Sequence, residues 1–337
     1  MTRLLSYTAL IVLVGCASAR PPSMPPSTTI KGAVAPPQGV KQDGERAART
    51  KDWDLLYVSN AVGTVTVYRY WQQRFYMTLT GFATPKGECV DQAGDVFITD
   101  STLQEVFEYA HGGTTPIKTI TDAGFQPYAC AVDLATGKLA IANFENASGS
   151  GGNVAVFKHA SGKPQLYDPN LDGYGPLSCA YDDKGDLMIA TEYPLGSYEH
   201  AAFAMLPRSD TRFEKVGLAY IKKSPYQYST NVQWDGKYWA ITDNGNISRF
   251  IIQKLIKKYE GTTTLSGNAD TPGQVWIAGV PGSHSKEGTR VVAAESDTVL
   301  YWKYPAGGDA YASISDYLDA PYGVSVSPKL RGGSGNR

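Results

Sequence analysis

The stretch "GDVFITD", residues 94–100, decides how this chain is read, because versions of it keep returning. "GKLAIAN" stands at 137–143, "GDLMIAT" at 185–191 and "GKYWAIT" at 236–242. Each time a Gly and a charged residue introduce a short apolar run. Just ahead lies another β-rich stretch: "PKGECVDQA", "PYACAVDLAT", "PLSCAYDDK" and "STNVQWD". An Asp near the end of that stretch, with the Gly close behind it, is a hairpin turn signal between two strands. A third strand comes next, as in "EVFEYA", "VAVFKHA" or "TVLYWKYP", and then a weaker fourth, as in "PIKTITD" or "AYASISD". Four short strands joined by tight turns are the content of one propeller blade.

Six such second strands can be placed, at 54–60, 95–100, 138–143, 186–191, 237–242 and 289–294. Taking Leu55, Val96, Leu139, Leu187, Tyr238 and Val291 as their starts, the spacings are 41, 43, 48, 51 and 53 residues. These suit one blade plus loop insertions. Propeller sheets bury both faces against neighbouring blades, which explains runs that are nearly continuously apolar instead of alternating. The stretch nearest to helical spacing, "RFIIQKLIKKY" at 249–259, reads as a long third strand with its hairpin. The first strand-like segment, "DLLYVSN", has the character of a second strand, while "PYGVSVSP" at 321–328 has that of a first strand with no second after it. Pairing 323–327 beside 55–59 supplies both missing neighbours and hides their edges. The expected fold class is therefore all-β: a six-bladed β-propeller of four-stranded antiparallel blades, its ring closed by the C-terminal strand joining the N-terminal blade.

"PYACAVDLATGKLAIAN" followed by "NVAVFKHASGK" resembles the NHL-type repeat of six-bladed propellers. In that repeat P-x-G-hydrophobic-x-V-D-x-x-G leads to Y-V-A-D and then to a strand ending V-F. The likeness runs over residues 53–328, clearest in blades two, three and six. It is weakest in blade four, where "TEYPLGSYEHAAFAMLPRSDTRF" is stretched. The resemblance implies an architecture and leaves the activity open, since such propellers host many functions.

The N-terminal segment "MTRLLSYTALIVLVGC" stands outside this pattern. Arg3 gives a basic start, and the apolar run 9–14 is too short to span a bilayer. "LVGC" at 13–16 resembles the bacterial lipobox, which implies a lipoprotein signal peptide over residues 1–15 and a lipid on Cys16. Several acyl chains on one residue give durable anchoring. The expected location is the cell envelope, the protein being exported and lipid-anchored. Ala17 and Ser18 after the Cys, with no Asp, favour the outer membrane by the enterobacterial sorting pattern. Residues 16–51 read as a Pro-rich tether, able to reach roughly 30 Å as a coil and about 110 Å as extended polyproline. Residues 52–328 form the propeller and 329–337 a flexible tail.

Charge narrows the partners. The first 51 residues carry seven cationic side chains against two acids, so the net −1 of the whole chain leaves −6 on the remainder. That balance argues against nucleic acid as a partner. A monomer is expected, tied to the membrane through its N-terminal lipid.

Candidate site residues lie where the second strands end: Asn60, Asp100, Asn143, Glu192, Asp243 and Glu295. Ring symmetry brings them to one end of the propeller, where they can serve in either of two ways. They cap the next turn through their side-chain oxygens, or some of them line a ligand site over the channel mouth. Propellers of the gluconolactonase type hold a divalent metal with such acid and amide groups. Loops at the same end carry aromatic residues, with Phe82, Phe125 and Tyr174 the ligand-contact candidates, alongside Tyr226, Tyr228, Tyr317 and Tyr322. Rings beside carboxylates suit sugar or peptide ligands; they also plug gaps between blades.

"DPNLDGYG" at 168–175 matches half of a calcium loop through Asp168, Asn170 and Asp172, but its twelfth place is Cys179 where a Glu is needed. An Asx-rich turn explains the string as well. Calcium or another divalent metal is the one cofactor the sequence raises. Cys130 and Cys179 share a column of the first strand with Glu88, Val232, Val275 and Val324, which reads as small apolar packing. Cys89 points to the opposite face, so facing blades can bring it towards Cys130, and export permits a disulfide. His111, His159, His200 and His284 show no metal-ligand spacing, and the sequence assigns them no Ser and Asp partners. The binding reading, for a protein, peptide or glycan at the loop-rich face, is preferred to its rival, a metal-dependent hydrolase or lactonase.

Overall fold

The Gly that opens each motif is required by its turn. Gly94 and Gly185 sit at φ +88° and +84°, where a side chain would be strained. The Asp ahead of the Gly folds the turn around its own carboxylate. Asp91 Oδ1 accepts from the amides of Ala93 and Asp95, both at 2.8 Å. Asp182 Oδ1 accepts likewise from Lys184 and Asp186 at 2.9 Å, and Asp235 Oδ1 from Lys237 and Tyr238 at 2.9 and 2.7 Å. A carboxylate that accepts from two turn amides fixes the turn through contacts local in sequence. The recurring Gly, charge and apolar run is thus a turn with its outgoing strand.

The computed structural model describes residues 53–146, 149, 151–171, 175–191, 202–218, 231–243, 245–253, 256–267, 273–278 and 289–329. They form six sheets of antiparallel strands in a ring. Blade one joins Pro321–Ser327 to Leu55–Asn60, Thr64–Arg69 and Arg74–Thr80. Blade two runs Pro85–Val90, Val96–Asp100, Glu105–Tyr109 and Lys118–Thr121. Blade three runs Phe125–Val132, Leu139–Asn146, Gly151–Lys158 and Ser161–Tyr167. Blade four continues with Pro176–Tyr181, Leu187–Thr191, Ala202–Leu206 and Glu214–Lys215. Blade five holds Val232–Trp234, Trp239–Asp243, Asn246–Gln253 and Ile256–Ser266, and blade six Val275–Ala278, Arg290–Glu295, Thr298–Lys303 and Ala312–Ile314. The stretch 249–259 is a third strand turning into a fourth, as its composition predicts. One addition lies outside the repeat pattern: Gly308–Asp309 pairs in parallel with the end of blade five's outer strand.

The ring closes as expected. Leu55 pairs with Ser327 and Val58 with Val324, antiparallel, with a register shift before Asn60 meets Pro321. Counted back from Asn60, Asp100, Asn143 and Asp243, the register corrects the sequence alignment by one residue in two blades: Leu56, not Leu55, and Trp239, not Tyr238, are the counterparts of Val96 and Leu139. Side-chain parity confirms it. Leu56 and Val58 face blade six among Val292 and Ala294, whereas Leu55 and Tyr57 face blade two among Val96 and Ile98.

Each seam between blades has its own buried apolar cluster, and six clusters complete the circle. Second strands carry the load because every residue of Leu55–Asn60, Val96–Asp100 and Leu187–Thr191 is buried. At about 1.5–3 kcal/mol per fully buried large apolar side chain, these strands are the main cohesive element. Near the axis the inner edges of the first strands would leave backbone groups unpaired. Side chains from neighbouring blades take them up. Ser178 Oγ accepts from Val232 N at 3.0 Å, Gln233 Oε1 from Ile277 N at 2.7 Å, and Asn231 Nδ2 donates to Gly273 O at 3.0 Å.

Cys89 and Cys130 form a disulfide across the seam of blades two and three, with Cα atoms 5.6 Å apart. Cys179, one blade further on, is buried with a free thiol, and burial pushes that thiol up to about 12. The repeat places Ala131 opposite Cys179 as Cys89 stands opposite Cys130. Cys130 Sγ approaches Phe97 O at 3.7 Å and Cys179 Sγ approaches the equivalent Ala140 O at 4.0 Å. Ala131→Cys, folded under oxidising conditions, is therefore expected to form a second disulfide with Cys179. Peptide mapping by mass spectrometry checks this; free thiols at both positions would refute the shared register.

Candidate ligand-binding end of the propeller

The second strands bring one column to the same end, where the register aligns Asn60, Asp100, Asn143, Thr191, Asp243 and Glu295; in blade three the strand runs on to Asn146. In blade four the column position belongs to Thr191, one residue before the Glu192 expected there; Glu192 itself lies outside the described residues. Thr191 Oγ1 donates to Ala202 O at 3.2 Å.

Asp100 is fully buried and its carboxylate is occupied by the backbone. Oδ2 accepts from Ala83 N at 2.7 Å, while Oδ1 accepts from Thr84, Thr102 and Leu103 N at 3.1, 3.1 and 3.0 Å. The side chain clamps the loop entering blade two to the hairpin leaving its second strand. Asn60 does the same one blade earlier: Oδ1 accepts from Asp319 N at 3.1 Å and Nδ2 donates to Thr66 Oγ1 at 3.0 Å. Asn143 Nδ2 donates to Asp122 Oδ2 at 2.8 Å and Asn153 Oδ1 at 2.9 Å. Its Oδ1 is buried without a hydrogen-bond partner. Burial raises Asp122 above the ordinary carboxylate range, and the Asn143 bond partly offsets this. Glu295 is also buried. Asp243 ends its strand in the same column.

Among the described residues, no three His, Cys, Asp or Glu side chains stand close enough to share a metal ion. Asp168 and Asn170 form a local turn in which Asp168 Oδ1 accepts from Asn170 N at 2.7 Å. Asp172 and Tyr174 lie outside the described residues, as do Tyr226, Tyr228, His200 and His284. Phe82 packs half-buried on Phe107 and Tyr109, with ring centroids 5.3 and 6.1 Å away, and Phe125 is half-buried at the start of its strand. Tyr317 stacks on Phe75 at 4.2 Å.

A tighter group lies nearer the axis. Lys86 Nζ sits 4.8 Å from the Tyr128 ring centroid and 4.7 Å from that of Tyr322. The two rings meet edge-on at 5.4 Å, and Tyr128 also contacts Phe144 at 5.4 Å. Close backbone approach makes this possible. A Cβ at Gly87 would come within 2.8 Å of Tyr128 O, and one at Gly323 within 2.0 Å of Lys86 O. Lys86 and Tyr128 are missing from the sequence-derived candidates. Their signal is the variable residue after Pro in "PKGECV", "PYACAV" and "PYGVSV", which the inner strands all bring to the mouth.

One rung below lies Glu88, wholly buried between blades one and two. Ser59 Oγ and Ser325 Oγ donate to its two oxygens at 2.7 and 2.8 Å. Gln274 reaches across from blade six; its Oε1 accepts from Glu88 N at 2.8 Å and its Nε2 donates to Glu88 O at 2.6 Å. Burial raises the Glu88 carboxyl to about 7, and the serine bonds partly offset the rise.

Three solved structures share the architecture. A chain of a crystallised nidogen/laminin complex matches with a TM-score of 0.63 and 11% identity, covering 82% of this chain and 100% of that one. A protein of unknown function from Bacteroides caccae matches at 0.57 and 8% identity, over 81% and 98% of the two chains. The Cps50 (Swd1) β-propeller domain of Myceliophteria thermophila matches at 0.53 and 10% identity, over 80% and 85%. Identities this low speak for the propeller fold alone. No protein-family model and no curated protein matches the chain.

Asp100→Ala strands four backbone amides and is expected to destabilise the fold by about 2–4 kcal/mol, read as a lowered denaturation midpoint; an unchanged midpoint would contradict its clamping role. For Glu88, a folded-state value raised above the unfolded one means the charged form is disfavoured by folding. Stability is therefore greatest below about pH 4.5 and falls as pH rises towards 7, by on the order of 3 kcal/mol. Asp95, Asp122 and Asp182 are raised too and act in the same sense. Glu88→Gln is expected to flatten its share of that slope, measured by urea unfolding between pH 5 and 8.

Proposed function

We propose that the protein is a lipid-anchored propeller of the bacterial cell envelope, related to the NHL-repeat type, which binds a protein, peptide or glycan at its loop-rich end. The observation that carries this reading is the group formed by Lys86, Tyr128, Tyr322 and Phe144 at the mouth of the ring. Half-buried rings around one cation make a contact surface with both apolar area and a polar handle. Asp100 and Asn60, by contrast, already spend their oxygens on loop amides. The six-bladed fold is a common scaffold for binding, and its inner strands present this surface from fixed positions.

Anchoring rests on "LVGC" at 13–16, which lies outside the described residues, as does the tether. Cys16→Ala is expected to move the protein from the membrane pellet to the soluble fraction with its melting temperature unchanged. Retention in the pellet would refute the lipid anchor.

A second reading, metal-dependent hydrolysis, has one observation in its favour: the unpartnered, buried Oδ1 of Asn143 beside Asp122. The two readings separate in one experiment. Binding of the full-length protein to glycan and peptide arrays, lost on Tyr128→Ala, supports the binding module. A calcium- or zinc-dependent rise in melting temperature that Asn143→Ala abolishes supports the hydrolase.

A further inference from the structure

The group at the mouth has a chemical preference. We infer that it takes a sugar acid, with the ligand's single carboxylate on the Lys86 ammonium and its ring on the shelf formed by Tyr128, Tyr322 and Phe144. This rests on the binding-module reading and specifies its ligand.

The preference for an acid comes from charge. Lys118 and Lys258 both pair with a carboxylate, with Glu108 at 3.3 Å and with Glu260 at 2.6 Å. Lys86 has no such partner among the described residues, although the body from residue 52 onward is acidic by −6. The residue is half-buried, and its ammonium rests on two ring faces instead. Ring quadrupoles hold a cation in place without neutralising it, so its charge stays available to an incoming anion. The net −6 of the body disfavours a polyanion over a monoanion. One carboxylate fits.

The preference for a sugar comes from shape. Tyr128 and Tyr322 stand nearly perpendicular, at 85°, and Phe144 extends the Tyr128 side at 44°. Such a corner offers ring area to the flat carbon face of a saccharide. The carbonyls of Lys86 and Tyr128 pack against Gly323 and Gly87 of the adjacent inner strands, which holds the strands that carry the corner at one close spacing. A peptide C-terminus would want backbone N–H donors around its carboxylate, whereas the amides of Glu88 and Val324 are bound to Gln274 Oε1 at 2.8 and 3.3 Å. Because glycines set the spacing of the strands, the site is organised before ligand arrives, which lowers the ordering cost of binding.

The test is calorimetric titration of the purified full-length protein with D-glucuronate, D-glucose, glucuronate methyl ester and N-acetyl-glycyl-glycine. Glucuronate is expected to bind about tenfold tighter than glucose or the ester, equivalent to about 1.4 kcal/mol, with the margin shrinking as salt is raised. Lys86→Met, whose stem can still lie on both rings, should abolish that margin, and Lys86→Arg should keep it. Equal affinity for glucose, ester and acid would overturn the carboxylate preference while leaving the binding module standing. Equal affinity for the blocked dipeptide would overturn the sugar component. Heat from none of the four overturns the inference outright. Blank arrays in addition would remove the binding module itself.

Discussion

Every blade of this protein has two apolar faces and no means of covering either alone. That constraint governs the rest. A strand such as Leu55–Asn60, buried at every position, is stable only if a sheet stands on each side of it. A linear stack would leave two faces in water, so the stack must bend into a circle. The circle must then be sealed by a segment far away in sequence, Pro321–Ser327. Local turns make the hairpins quickly, but their apolar faces stay uncovered until that distant strand arrives.

Closure has a second consequence at the centre. Six inner strands converge there with one edge each unpaired. Asn231, Gln233, Ser178 and Gln274 answer this by reaching over to the backbone of a neighbour. Small residues such as Gly87 and Gly323 allow the approach. The mouth is where this crowding ends, and there the residues next after each Pro are free to differ between blades. The scaffold explains the presence of a site at that end; the particular side chains explain its chemistry.

Much of the fold was legible because it is local. The Asp–Gly turn signature marks the start of four of the six second strands, and the strands' length and apolar character go with it. Closure was legible because both ends lacked a neighbour. The site was less so, for reasons of parity and counting. Thr191 stands six residues after Gly185, as Asp100 does after Gly94, yet the adjacent Glu192 looks more functional. In blade five the turn, 235–238, is one residue shorter than 91–95 and its Gly follows the Asp directly, so Asp243 falls seven after Gly236. The Cys89–Cys130 bridge was raised by the opposite parity of the two residues, and the ring brings those two faces together at one seam. Lys86 and Tyr128 escaped because each sits in a first strand, within what reads as scaffold. Only the ring brings them together.

The closing register also fixes how the body would bear a pull. Tension arriving through residue 53 enters Leu55–Asn60, the second strand of its blade, which is laddered to Pro321–Ser327 on one side and to Thr64–Arg69 on the other. Drawn along its own axis, that strand loads both ladders in shear, so several hydrogen bonds must yield together. An outermost strand peeled sideways would give way one bond at a time. A chain fastened by its N-terminal end is thus gripped by an interior strand of the sheet, the place best able to hold.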